Sequence, residues 1–129
     1  MARKVLHIPG AWHGDQPIPP AQMTGPIVTS GGVSGLDPET NKVVEDIEEQ
    51  AKWAFEHVRR IMAAAGGTTD DIAHMNVYVK AREARAFINT EWVAMFPDEE
   101  NRPTRHTIQY DALAGNMQLQ LQFIAYVGS

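Results

Sequence analysis

The sequence predicts an α/β fold, a mixed β-sheet with two helices packed on one face, and three stretches of chain carry that expectation. Val44, Ile47, Ala51, Ala54, Val58, Ile61 and Ala65 recur at spacings of three and four, which draws one apolar stripe down a helix. Ala84, Phe87, Ile88, Trp92, Met95 and Phe96 repeat the pattern in a second helix closed by Pro97. Met117, Leu119, Leu121, Phe123, Ala125 and Val127 alternate with Gln118, Gln120 and Gln122, the period-two signature of a long strand with one apolar and one polar face.

The other elements fit around these. Lys4 to Ile8 reads as a short edge strand. Gln16-Pro17-Ile18-Pro19-Pro20 is forced into extended or polyproline II backbone. Ile27 to Ser30 is a β-favouring run that stops at Gly31-Gly32, and Gly35 with Leu36 to Thr40 marks turns and an irregular loop. In the first helix the acidic Glu45, Asp46, Glu48 and Glu49 precede His57, Arg59 and Arg60, an order that suits the helix dipole, and Gly66-Gly67 offers a left-handed cap. Thr68 to Asp71 is a capped turn, Met75 to Lys80 a strand, Asp98 to Arg102 a polar loop, and Thr104 to Tyr110 a predicted inner strand. The element order is β-β-α-β-α-β-β, most economically with both helices on one face.

Composition sets the outer bounds. At 129 residues the chain makes one domain, residues 1–129, large enough for a core of its own. There are no cysteines, which excludes disulfides, thiolate metal sites and a cysteine nucleophile together. Sixteen acidic against eleven basic residues give a net charge of −5, a poor balance for displacing counterions from nucleic acid. No apolar run has signal-peptide or membrane-spanning length, so the expectation is a soluble, cytoplasmic protein.

Most motifs reduce to structure. Gly31-Gly32-Val33-Ser34-Gly35 lacks the Gly-Lys-Ser/Thr ending and the following helix of a phosphate loop. Asp70, Asp71 and His74 suit a helix cap better than a metal. No metal and no cofactor is expected. His7, Trp12, His13 and Asp15 form a loose N-terminal group that either lines a site or decorates the surface. Arg105, between Pro103-Thr104 and His106, is the remaining feature: its guanidinium either pairs with a surface acid or offers a bidentate fork to a carboxylate.

The residues together resemble the reactive intermediate deaminase (Rid/YjgF) family. The resemblance is carried by Ser30-Gly31, the helix ending Ala63-Ala64-Ala65-Gly66 after Gln50, the strand Val77-Tyr78-Val79-Lys80, Asn89 before Trp92, Pro103-Thr104-Arg105 and the final alternating strand. It runs from about Ile27 to Val127.

It implies a chorismate-mutase-like fold, a homotrimer with clefts at the subunit interfaces, and cofactor-free hydrolysis of enamines or imines of amino acids. It further implies that Arg105 holds the substrate carboxylate, that backbone near Gly31 and Thr107 lines the cleft, and that Asn89 lies nearby. The family's glutamate on the last strand is Gln120 here, with Gln122 beside it; its Gly-Pro-Tyr segment has no counterpart, and its usual late proline is Ala114. An amide cannot give and regain a proton as a carboxyl does. The leading expectation is therefore a deaminase of a small imino or unsaturated amino carboxylate, aminomuconate being one example, in which Gln120 positions water. The proton would then pass through substrate, water or a histidine such as His106 or His13. The rivals are a non-catalytic carboxylate binder and, against the acidic balance, an endoribonuclease or translation inhibitor. No nucleic acid or membrane partner is expected.

Overall fold

The computed structural model describes residues 2–9 and 13–128; Trp12 lies outside them. The first helix, α1 (Ile47–Ala64), begins where the Asp46 carboxylate accepts a hydrogen bond from the Glu49 N–H at 3.4 Å. The apolar stripe runs three residues further back, but Val44 stays outside the helix, its carbonyl taken by the Gln50 side chain at 2.9 Å. At the other end Gly66, at φ +80°, and Gly67 donate to the carbonyls of Ala63 and Met62, each at 3.0 Å. Those two bonds form a Schellman cap, and the positive φ explains the glycine. The second helix, α2 (Arg85–Met95), follows a 3₁₀ turn at Arg82–Ala84.

Six strands form the main sheet: β1 (Arg3–Leu6), β2 (Ala21–Thr24), β3 (Ile27–Ser30), β6 (Ile72–Val79), β7 (Thr104–Gln109) and β8 (Leu119–Tyr126). Their order is β1-β2-β3-β8-β6-β7, with β6 and β7 parallel and the other neighbours antiparallel. A small hairpin pairs β4 (Leu36–Asp37) with β5 (Lys42–Val43).

Alternation divides the sheet into two faces. Met75, Val77 and Val79 of β6 and Leu119, Leu121, Phe123 and Ala125 of β8 are buried under Phe55, Val58, Ile61 and Met62 of α1 and Ile88 and Met95 of α2. Each large apolar side chain removed from water here contributes about 1.5–3 kcal/mol, so this layer dominates folding. The opposite face carries no helix. It presents His74, Asn76, Tyr78, Gln120 and Gln122 with Ile27, Ile124 and Tyr126, the last three 46, 46 and 59% exposed.

The element types and the one-sided helices match the expectation, with three corrections. Ala21–Thr24 is a strand that the adjoining prolines hid; it pairs with β3 because the chain turns back at Gly25, φ +56°. The loop from Leu36 to Thr40 begins a hairpin rather than remaining irregular. The strand of Arg105 is the sheet's edge, not an inner strand, since nothing among the described residues pairs beyond β7. Among the described residues no helix is long and apolar enough to cross a membrane.

Candidate active site

Arg105 stands on edge strand β7 in register with Met75, on the helix-covered face of the sheet. Its Nε donates to the Thr107 hydroxyl at 2.9 Å and its Nη2 to the Asn89 side-chain carbonyl at 2.8 Å. The guanidinium carbon lies 5.0 Å from the centre of the Trp92 ring, within cation–π range. These contacts follow from local rules: Thr107 is two residues along the strand, and Asn89 and Trp92 are three apart on one face of α2. They consume two of five N–H donors and leave three free in a fixed orientation. Burial, with Arg85 nearby, pulls the Arg105 pKa below its usual value, though it stays charged.

A second group forms where β3 meets β8. Thr29 pairs with Ile124 and Val33 with Leu121, which leaves three residues of one strand opposite two of the other, a bulge at Gly31-Gly32. The buried Ser30 hydroxyl accepts from the Phe123 N–H at 2.9 Å and stitches its near side. A Cβ on Gly32 would come within 2.5 Å of the Gln120 amide, so that side chain lies directly on the glycine. Among the described residues the Gln120 side-chain nitrogen reaches only the Met117 sulfur, at 3.7 Å. The His13 Nε2 lies 3.3 Å from where a Gly31 Cβ would stand, and burial lowers its imidazole pKa, favouring the neutral form.

Behind the bulge, Gly35 is pressed against α1, where an added Cβ would sit 2.5 Å from the Gln50 Cα. Gln50 itself is fully buried and satisfied: it donates to the carbonyls of Val44 and Asn116, at 2.9 and 3.0 Å, and accepts from the Gln118 N–H at 2.8 Å. One side chain thus ties α1 to the approach of β8, two residues before Gln120.

The two groups stay apart within one chain. Arg105 and Gln120 lie on opposite faces, two strands and three residues out of register, about 14 Å between their Cα atoms by strand spacing. His106 is in register with Asn76 on the open face, away from the Arg105 guanidinium. There a polar chain runs from the Thr104 hydroxyl through His74 (2.8 Å) to Asn76 (2.9 Å) and Gln122 (3.4 Å). Of the N-terminal group, His13 meets the bulge, while His7 and Asp15 are exposed. Among the described residues no three His, Asp or Glu side chains are grouped to hold a metal. Asp71 caps the Thr68 turn, accepting from the Thr68 N–H at 2.8 Å.

A family model described as endoribonuclease L-PSP matches residues 19–127. The chain belongs to that family. It is the Rid/YjgF family of the resemblance, as its relatives show. The chain is 31% identical over 77% of its length, and 77% of the relative's, to the 2-iminobutanoate/2-iminopropanoate deaminase of Salmonella typhimurium. It superposes on RidA of an Antarctic Psychrobacter with a TM-score of 0.86 at 28% identity, covering 96% of this chain and 99% of that one. It superposes equally, at 26% identity and 97 and 99% coverage, on E. coli TdcF with bound serine. The fold is the chorismate-mutase-like one of Rid structures.

Against this Rid framework the sequence reading missed four residues. Trp92 was counted only as core, yet it also covers the guanidinium; its spacing from Asn89 was the available signal. Thr107 was expected to act through its backbone, but its hydroxyl is what meets Arg105. Gln50 and His57, both fully buried on α1, looked like ordinary polar positions.

Proposed function

We propose that this Rid-family chain hydrolyses a small enamine or imine carboxylate and that Arg105 holds the substrate carboxylate. The observation that carries the proposal is the fixed guanidinium, with Asn89, Thr107 and Trp92 holding it and no carboxylate within 4.0 Å among the described residues. A salt-bridged arginine would be spent; this one keeps a fork to offer. The deaminase named above and the serine-bound TdcF support small amino-acid-derived ligands.

The chemistry is balanced and needs no redox partner. An enamine takes a proton on carbon to become the imine, water adds to the imine carbon, and the carbinolamine collapses to the keto acid and ammonia. Arg105 holds the carboxylate, Gln120 orients the water, and Gly31 gives close access past the bulge. For the proton, His13 is better placed than His106: its Nε2 lies 3.3 Å from where a Gly31 Cβ would stand, and its neutral form accepts at neutral pH. An unsaturated catabolic acid such as an aminomuconate is within this class.

Because Arg105 and Gln120 face opposite ways, one ligand reaches both only if a second copy completes the site. The proposal therefore includes a homotrimer with the open sheet face as subunit contact, and residence in the cytoplasm. Light scattering at micromolar concentration should give three times the chain mass, and a monomer would remove the shared cleft.

A second reading rests on Gln120 itself. With an amide on the strand where the family places an acid, the chain would capture a carboxylate without turning it over. Ammonia release from 2-aminoacrylate generated in situ decides: turnover above the spontaneous rate supports the enzyme, and tight pyruvate binding without turnover supports the binder.

A further inference from the structure

Beside the Arg105 group lies a cavity of about 220 Å³ lined by Val79, Arg82, Arg85, Thr107 and Gln109. Thr107 is the residue that accepts the Arg105 Nε hydrogen bond, so the cavity opens next to the guanidinium. Arg85 precedes Asn89 by four residues, which puts both on one face of α2, about 6 Å apart along its axis. It is close enough to Arg105 to destabilise its charged form.

This charge arrangement is costly as it stands. The chain has more acidic than basic residues, and its ion pairs among the described residues engage Lys52, Arg59 and Arg60. None reaches Arg82, Arg85 or Arg105, and Glu83, between the first two, makes no pair. Arg85 also opens α2, where the helix dipole disfavours a cation, and no acidic residue occupies that first turn. Arg82 and Arg85 line this cavity and Arg105 adjoins it through Thr107; three guanidinium groups without an acid partner among the described residues are relieved by an anion larger than a single carboxylate.

We infer that the site reads a second acidic group: Arg85, with Arg82 beside it, binds the far carboxylate of a dicarboxylic substrate whose near carboxylate is held by Arg105. This inference rests on the proposed role of Arg105 and narrows the substrate class from small carboxylates in general to short dicarboxylates. The separation of Arg85 on α2 from Arg105 on β7 selects the chain length of the diacid. Arg85 is a specificity residue in this account, since the reacting carbon lies at the Arg105 end.

Calorimetric titration of the full chain with pyruvate, succinate and adipate tests it, using wild type, Arg85→Gln, Arg82→Gln and Arg105→Ala, with melting curves to confirm folding. At least one diacid should bind wild type about tenfold or more tighter than pyruvate, the gain expected of an added charge-assisted contact. Arg85→Gln should erase that advantage and leave pyruvate affinity unchanged; Arg85→Lys should restore part of it. Diacids that bind no tighter than pyruvate, or an advantage that survives Arg85→Gln, overturn the inference while the Arg105 reading stands. Binding of every acid unchanged in Arg105→Ala removes the Arg105 reading and the inference with it, as does no binding of any acid.

Discussion

The two halves of the candidate site are built by opposite means. Arg105 is fixed by side chains: a hydroxyl, an amide carbonyl and an indole face hold one guanidinium from two elements. The Gly31-Gly32 bulge is fixed by backbone, through the Ser30 stitch, the pairing of Val33 with Leu121 and the contact of Gly35 on α1. The catalytic-position side chain there, Gln120, rests on a glycine, with a sulfur as its only polar partner among the described residues. The difference teaches that charge recognition is preorganised in this chain, while the group nearest the water is held mainly by shape.

The largest expected effect is on the first half. Arg105→Ala should weaken pyruvate-like acids by ten- to a hundredfold or more, about 1.5–3 kcal/mol for a lost charge-assisted contact, with the melting temperature nearly unchanged. Lys should recover only part, because it keeps the charge and loses the fork. Unfolding of the Ala variant would make Arg105 a structural residue and end the contrast.

How much of this was visible in the sequence depends on which half is considered. The helices and long strand were legible because their apolar periodicity is what the core demands, and Arg105 stood out by its neighbours Pro103 and His106. β2 was not legible, since Pro17, Pro19 and Pro20 announce unpaired extended or polyproline II backbone while its pairing is decided by β3 across the hairpin. Nor was the edge position of β7, because strand order is set by crossovers that no local pattern records. The bulge was read only as turn glycines, and the contact of Gln120 with Gly32 is long-range and leaves no spacing signature.

The next effect separates two glycines of the second half. Gly35→Ala drives its Cβ into the Gln50 backbone, which cannot yield cheaply, and should cost about 1–3 kcal/mol or more in denaturant unfolding. Gly32→Ala meets only the flexible end of Gln120, so it should cost under about 1 kcal/mol while displacing that amide and lowering turnover. Equal losses of stability at both positions would show that the bulge is no looser than its support.

The smallest effect is a pH dependence behind the same half. His57 is fully buried, its Nε2 donates to the Leu36 carbonyl at 2.8 Å, and its Nδ1 finds no partner among the described residues. Burial lowers its pKa, with Arg60 adding and the Leu36 bond and Glu56 opposing. The folded state therefore binds this proton less readily than the unfolded chain. Its contribution is complete above the ordinary imidazole value of about 6.5 and is lost as pH falls below it. Melting curves from pH 7.5 down to pH 5 should show that loss, and His57→Gln, which keeps a donor for Leu36, should flatten it. His13 shifts the same way and will leave a residual slope.

The central claim, that binding and proton handling are carried by different halves, is tested most directly by steady-state kinetics of Gln120→Glu. General acid–base assistance is worth about a hundred- to ten-thousandfold on the step it serves. The account predicts that the glutamate variant raises kcat for ammonia release from 2-aminoacrylate by up to about a hundredfold, while the inhibition constant of pyruvate stays at the wild-type value. An unchanged or lower kcat would contradict it, showing that an acid beside the bulge serves no proton step, and a shifted pyruvate constant would show that the two halves are one.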